Sequence, residues 1–160
     1  QFVENAILII VGGGDVVPQL KEYVIAHDLS EKVLFFGKQP SDQLRKYTSV
    51  ADIGLSLDKP LNINYEYSLP NKLFDYIQAG IAVLASDLVE VATIVRQYRV
   101  GEVLEQHEPQ AIANHIRAML ANQEMLDAYK ANAVKAAEML CWEREKGVLE
   151  HIVNEINQKK

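Results

Sequence analysis

The chain carries one cysteine, Cys141, in 160 residues, which excludes an intrachain disulfide and a cysteine-ligated metal cluster. Its four histidines, His27, His107, His115 and His151, fall at no metal-binding spacing, so no metal is expected. Positive charge is short as well: 16 Lys and Arg stand against 22 Asp and Glu, a net charge of −6. Proteins held to nucleic acid by their overall field need the opposite balance, so no nucleic-acid partner is expected, although a local basic pocket stays open. No apolar run approaches the roughly 20 residues of a membrane-spanning helix. No charged start followed by an apolar core suggests a signal peptide. A G-x-S-x-G elbow and a Gly-Lys-Ser/Thr phosphate loop are also lacking, which removes support for a serine hydrolase and a P-loop enzyme. Gln1 runs almost directly into an apolar stretch, so the expectation is one domain, 1–160, forming a piece of a longer chain.

What is present is a soluble-protein composition, 49% apolar and 24% charged, with enough length for one continuous core. Ala6 to Val11 ("AILIIV") is β-branched and unbroken, the pattern of a strand buried on both faces. Val33–Phe36, Ile53–Leu57, Ala82–Ala85 and the weaker Val100–Leu104 are further strand candidates. Between them lie helical patterns: a stripe of Val17, Leu20, Val24 and His27, then Ser41–Ser49, Asn71–Ala79 and Leu88–Tyr98. Ser41 is a candidate N-cap, and Gly80 can stop the third helix in a left-handed conformation. Beyond Pro109 the chain reads as helix over Gln110–Leu120, Glu124–Leu140 and Trp142–Asn157. Such alternation predicts an α/β fold with a doubly wound parallel sheet and a helical C-terminal tail. The carboxylates of "WEREKGVLEHIVNE" read as a solvated helix face. Asp52 precedes its strand, which speaks against a phosphoacceptor aspartate at a strand's carboxyl end.

Leu57 to Pro70 ("LDKPLNINYEYSLP") follows neither period. Irregular loops beyond roughly 12 residues in a compact domain are usually functional or disordered, and ligands of open α/β sheets bind outside the strands' carboxyl ends. Two glycine turns lie at other strand ends. "VGGGD", Val11 to Asp15, allows close backbone approach to a ligand, or is a tight strand–helix turn capped by Asp15. It is not a full dinucleotide fingerprint, because Val17 stands at the third glycine position. "FGKQP", Phe36 to Pro40, reads as a turn before a helix.

"LPNK", Leu69 to Lys72, is more specific. Pro70 holds its predecessor extended, and Asn71 can cap the helix that follows. The free amides and positive dipole end of such a helix make an anion site. Lys72 adds a full charge where a cation is unfavourable to the helix, and a broken local rule at a strand-end loop marks a functional candidate. Projection at 100° per residue places Leu73, Phe74 and Ile77 toward the sheet, with Lys72, Asp75, Tyr76 and Ala79 opposite. Lys72 and Asp75 are then i,i+3 neighbours, either a surface ion pair or a cation for phosphate beside a carboxylate for sugar hydroxyls.

The ordered set "LIIVGGG", "EKVLFFGKQPSDQLRKYTSVADIGLSL", "PNKLFDYIQAGIAVLASD" and "VGEVLEQHEPQAIANHIRAML" resembles the C-terminal, nucleotide-sugar-binding domain of glycosyltransferases with two Rossmann-like domains (GT-B). It is most similar to the group 1 family of retaining bacterial hexosyltransferases that build glycans and lipopolysaccharides. Trp142 stands where that family commonly opens its final helix. The resemblance implies that Gly12, Gly13 and Gly14 face a nucleoside-diphosphate-sugar donor, while Gly37, Lys38 and Gln39 meet its base. It further implies that the amides of Asn71, Lys72 and Leu73 receive the diphosphate, and that Asp75, at the place of the family's second glutamate, binds ribose hydroxyls. At the place of the first, sugar-contacting glutamate stands Tyr67, with Glu66 adjacent. The family's Phe-Gly before this helix is Leu69-Pro70, a branch feature. Its Arg/Lys phosphate pair belongs to a strand–helix unit ahead of "AILIIVGGG".

The resemblance implies glycosyl transfer to a glycan or lipid-linked acceptor, with no cofactor and no dedicated metal, and with the catalytic residues unassigned. The partners implied are the donor and an N-terminal acceptor domain; alone, this piece is expected to bind nucleotide weakly and turn over nothing. The expected location is cytoplasmic, with attachment of the full-length enzyme to the inner face of the membrane left open. A sugar-nucleotide epimerase half and a non-catalytic Rossmann-like scaffold remain as alternatives; an NAD-dependent oxidoreductase is disfavoured by the incomplete fingerprint.

Overall fold

The computed structural model describes residues 2–158. Strands and helices alternate as β1 (Leu8–Val11), α1 (Val17–Ala26), β2 (Val33–Gly37), α2 (Ser41–Ser49), β3 (Ile53–Ser56), α3 (Ile63–Tyr67), α4 (Asn71–Gln78), β4 (Ala82–Ser86), α5 (Val89–Tyr98) and β5 (Gly101–Leu104), followed by α6 (Pro109–Ala121), α7 (Gln123–Met139) and α8 (Trp142–Gln158). Every strand pairing is parallel. The pairings form two pieces, β1–β2 and β3–β4–β5.

β4 is the centre of the core, with all five residues buried. Alternation along it serves two layers. Val83 and Ala85 pack with Leu73 and Ile77 of α4, Val91 and Val95 of α5, and Ala133 and Ala136 of α7. Ala82 and Leu84 face the other way, onto Leu104, Met119 of α6 and Leu126 of α7. The helices after β5 are therefore not all tail: α6 and α7 complete the core, and only α8 stays exposed through its described side chains.

The β1–β2 piece is barer. The "AILIIV" pattern predicts burial on both faces, yet Ile7 is 62% exposed and Leu8 42%. The reason is packing: among the described residues β1 pairs only with β2, so its other edge and much of its apolar surface lack cover. Two expected caps also differ. Pro40, extended at φ −58° and ψ 153°, is the N-cap before Ser41, making Ser41 the first helical residue. Asp15 caps nothing; the turn closes through the Val17 amide donating to the Gly14 carbonyl at 3.1 Å, and α1 begins after Val16. Gly80 does end α4 in the left-handed region, at φ +70°.

Gly101 lies so close to β4 that a Cβ there would overlap the Val83 backbone, whereas Gly147 on α8 has nothing within 4 Å. Gly101→Ala should therefore destabilise the protein by more than about 2 kcal/mol. Gly147→Ala should stabilise it by about 0.5–1 kcal/mol through helix propensity. Urea unfolding of both variants against wild type measures the contrast; equal midpoints would contradict the packing described.

Candidate functional site

At the carboxyl ends of β1 and β2 the two glycine turns are tied together. The Gly12 amide donates to the Gly37 carbonyl at 2.7 Å, with φ at +144° for Gly12 and +63° for Gly37. Few side chains tolerate those angles, which is why glycine stands at both. Lys38 lays its aliphatic stem along Gly13, whose added Cβ would meet Lys38 Cε at 3.3 Å. Gln39 turns inward instead, its Nε2 donating to the Phe36 carbonyl at 2.6 Å. Gly13, Gly14 and Lys38 are exposed, so this corner offers backbone and one cation to solvent.

The second cluster is built by β3 and α4. The long loop between them is not without structure. Asn62 accepts from the Asn64 and Tyr65 amides at 3.0 and 3.2 Å, capping the short helix α3. Glu66 and Tyr67 lie exposed on that helix, and neither hydrogen-bonds through its side chain to another described residue.

Pro70, at φ −72° and ψ 139°, is the N-cap of α4 and supplies no side-chain cap. This corrects the expectation for Asn71, which is the first helical residue; its extended predecessor is the proline itself. Of the first three amides, that of Leu73 donates to the Pro70 carbonyl at 3.1 Å. Those of Asn71 and Lys72 lie where a helix has no internal acceptor to give them. Leu73 itself is fully buried, so it can serve a ligand only through its backbone.

Lys72 does not pair with Asp75. Its ammonium lies 2.7 Å from Asp58 Oδ2, just beyond β3, with the two side chains 39% and 30% exposed. Side chains in a first helical turn point back toward the helix start, hence toward the loop leaving β3 and away from Asp75, one turn on. Asp58 Oδ2 is buried and accepts no hydrogen bond, its contact with Lys72 being an ion pair only, and the buried Ser56 hydroxyl is likewise without a partner.

Tyr76 also departs from the projection. It turns inward over Gly54, where a Cβ would overlap its ring, and its hydroxyl donates to the Leu55 carbonyl at 3.2 Å. Burial foremost, then the carboxylates of Asp75 and Asp58, push its pKa above the ordinary tyrosine value. Asp75 is exposed beside it.

The structure thus groups the expected residues into two sets, Gly12–Gly14 with Gly37–Gln39, and Asn71–Leu73 with Asp75. No hydrogen bond or ion pair joins the sets among the described residues, although α2 packs on α4. Glu66 and Tyr67 belong to neither. Sequence reasoning missed Asp58, Ser56 and the inward Tyr76. A signal was present: Gly54, Ser56 and Asp58 alternate with Ile53, Leu55 and Leu57, a small-and-polar face against an apolar one. Elsewhere, Ser86 Oγ at the end of β4 and His107 Nε2 after β5 lie 2.8 Å apart, bordering an open groove between residues 59–61 and 105–108. Among the described residues no three His, Cys, Asp or Glu side chains gather to hold a metal ion, and no helix is long and apolar enough to cross a membrane.

The family described as "Glycosyl transferases group 1" matches residues 1–136. Among solved structures, WaaG, titled a glycosyltransferase involved in lipopolysaccharide biosynthesis, superposes with a TM-score of 0.68 at 19% identity, over 84% of this chain and 34% of that one. Sucrose-phosphate synthase from Thermosynechococcus elongatus gives 0.77 at 19% identity, over 96% and 39%. Anabaena HepE, solved in complex with UDP, gives 0.66 at 18% identity, over 86% and 37%. At such identities the likeness is one of fold, and the chain spans little more than a third of each of those proteins. No curated protein sequence matches the chain significantly.

The raised Tyr76 pKa gives a pH dependence. Above pH 10 the unfolded chain loses this proton before the folded one does, so stability falls as pH rises. Tyr76→Phe should cost about 1 kcal/mol near neutrality by losing its bond to Leu55, and should flatten the alkaline decline. Urea unfolding on both sides of pH 10 tests this; an unchanged alkaline slope would contradict it.

Proposed function

The chain belongs to the group 1 glycosyl transferases, and from that premise we propose that it forms the donor-binding half of an enzyme moving a sugar from a nucleoside-diphosphate sugar to a glycan or lipid-linked acceptor. The observation that carries this reading is the start of α4: no side-chain cap, and Lys72 beside it at the carboxyl edge of the sheet. Amides at a helix start, a positive dipole end and an ammonium together suit a diphosphate. UDP in the HepE structure, on the same fold, supports the ligand class.

In the proposed reaction the bond from the sugar's anomeric carbon to the diphosphate oxygen breaks, and that oxygen keeps the electron pair. A bond forms from the anomeric carbon to the acceptor hydroxyl oxygen, which gives up its proton. Lys72 and the amides of Asn71 and Lys72 stabilise charge developing on the leaving diphosphate. The glycine turns at Gly12–Gly14 and Gly37 let the donor approach the backbone closely, with Lys38 and Gln39 at the base. Asp75 accepts from ribose hydroxyls. The reading needs no cofactor. It includes an N-terminal acceptor domain and a strand–helix unit for the open edges of β1 and β3; a doubly wound order of 3-2-1-4-5-6 has one strand between the places these two edges fit.

Calorimetric titration with UDP, GDP, ADP and NAD, alongside Lys72→Ala, tests the site. One nucleoside diphosphate should bind, and the substitution should weaken it roughly tenfold or more, the worth of a charge-assisted contact. Equal binding by wild type and variant, or preference for NAD, would overturn the reading. If the chain alone binds none of the four, the same titration on the full-length protein decides. There Asp75→Ala should raise the donor KM roughly tenfold with a smaller change in kcat. Unchanged kinetics would remove Asp75 from the site, whereas no transfer by the full-length wild type would favour the scaffold alternative, for which Tyr67 in the place of a glutamate speaks.

A further inference from the structure

Resting on that diphosphate site, we infer that Asp58 is a built-in competitor for the ligand: its carboxylate neutralises Lys72 in the resting protein and is exchanged for the diphosphate, which favours release of the product. The ion pair is short, 2.7 Å, and half-open to solvent. Lys72 makes no other ion pair among the described residues. Asp58 Oδ2 is buried and accepts no hydrogen bond, so the pair is held by charge alone. While it stands, the site's charge is poor for an anion. Lys72 and Asp58 cancel, Asp75 contributes one negative charge nearby, and the helix end offers only about half a positive unit.

Exchange is cheap because the carboxylate has a substitute partner. Ser56, the last residue of β3, is 1% exposed with its hydroxyl unpartnered, and it precedes Asp58 by two residues. When Lys72 turns to a phosphate, that hydroxyl can donate to Asp58, so no bare buried charge is left behind.

The competitor acts unequally on the two ligands of the reaction. A nucleoside-diphosphate sugar carries two phosphate charges. The free diphosphate has a terminal phosphate that ionises a second time near pH 6 and so carries close to three at neutral pH. Repulsion from Asp58 scales with that charge, and therefore falls harder on product than on donor.

Asp58→Asn removes the charge and keeps the shape. In the full-length protein, affinity for the nucleoside diphosphate should rise roughly tenfold, after allowance for solvent screening of a partly exposed pair. The donor KM should fall by a smaller factor, so product inhibition deepens relative to donor binding. Asp58→Glu, which keeps the charge, should stay nearer wild type in that ratio, and this guards against a fold defect in the asparagine variant. If Asp58→Asn weakens the diphosphate as Lys72→Ala does, Asp58 merely positions the lysine and the inference is overturned while the donor site stands. If donor and product tighten equally, the discrimination is overturned. If Lys72→Ala leaves diphosphate binding unchanged, the donor-site reading itself is overturned, and this inference with it.

Discussion

The burial of α4 against β3 and β4 is the constraint on which the site depends. Leu73 and Ile77 are completely removed from water, and Tyr76 fills the space that Gly54 leaves on β3. Burying a side chain of that size contributes roughly 1.5–3 kcal/mol. Against this, a cation in the first turn costs a few tenths to about 1 kcal/mol, and a lost cap about 1 kcal/mol. Packing wins comfortably. The helix can therefore begin with free amides and a lysine, features that would weaken it in isolation, because its far end is nailed to the sheet.

That same packing explains the uneven molecule around it. β4 has a parallel neighbour on each side and helices over both faces, and its sequence, "AVLAS", is fully buried. β1 has as apolar a sequence, yet it pairs on one edge only. Natural sequences tend to agree with their fold at every level. The run "AILIIV" is therefore half-exposed for want of a second paired strand among the described residues, not through an error in the local pattern.

Much of the fold was legible in the sequence because its signals are local. The strands at Val33, Ile53 and Ala82, the helices between them and the left-handed stop at Gly80 all follow from runs of a few residues. The two glycine turns were legible as strand ends, whereas the hydrogen bond joining Gly12 to Gly37 was not. What escaped depends on contacts between distant segments. α3 is too short to show a period, and only Asn62 betrayed it. Helical spacing, visible in one segment, makes Lys72 and Asp75 neighbours, whereas Asp58 meets Lys72 only once β3 and α4 are docked. Tyr76 was placed outward by projection at 100° per residue; the absence of a side chain at Gly54, 22 positions earlier, draws it in. Asn71 lost its cap role because Pro70 already supplies the extended residue a helix start needs.

Stability and binding meet at one pair of atoms in this site. A lysine at the positive end of a helix is better tolerated with a carboxylate at hand, and Asp58 provides one. A half-exposed ion pair of this kind is worth at most about 1 kcal/mol, so it holds the lysine without committing it. A diphosphate at the proposed site would bring two or more negative charges, and the helix amides would add their own hydrogen bonds to its oxygens. In the proposed exchange the balance would therefore tip toward the ligand when it is present and back to Asp58 when it leaves. A carboxylate further away would leave the lysine unpaired, and a fully buried pair would hold it too firmly, since breaking such a pair strands a charge out of water. Asp58, two residues beyond the strand and only partly covered, lies between those limits.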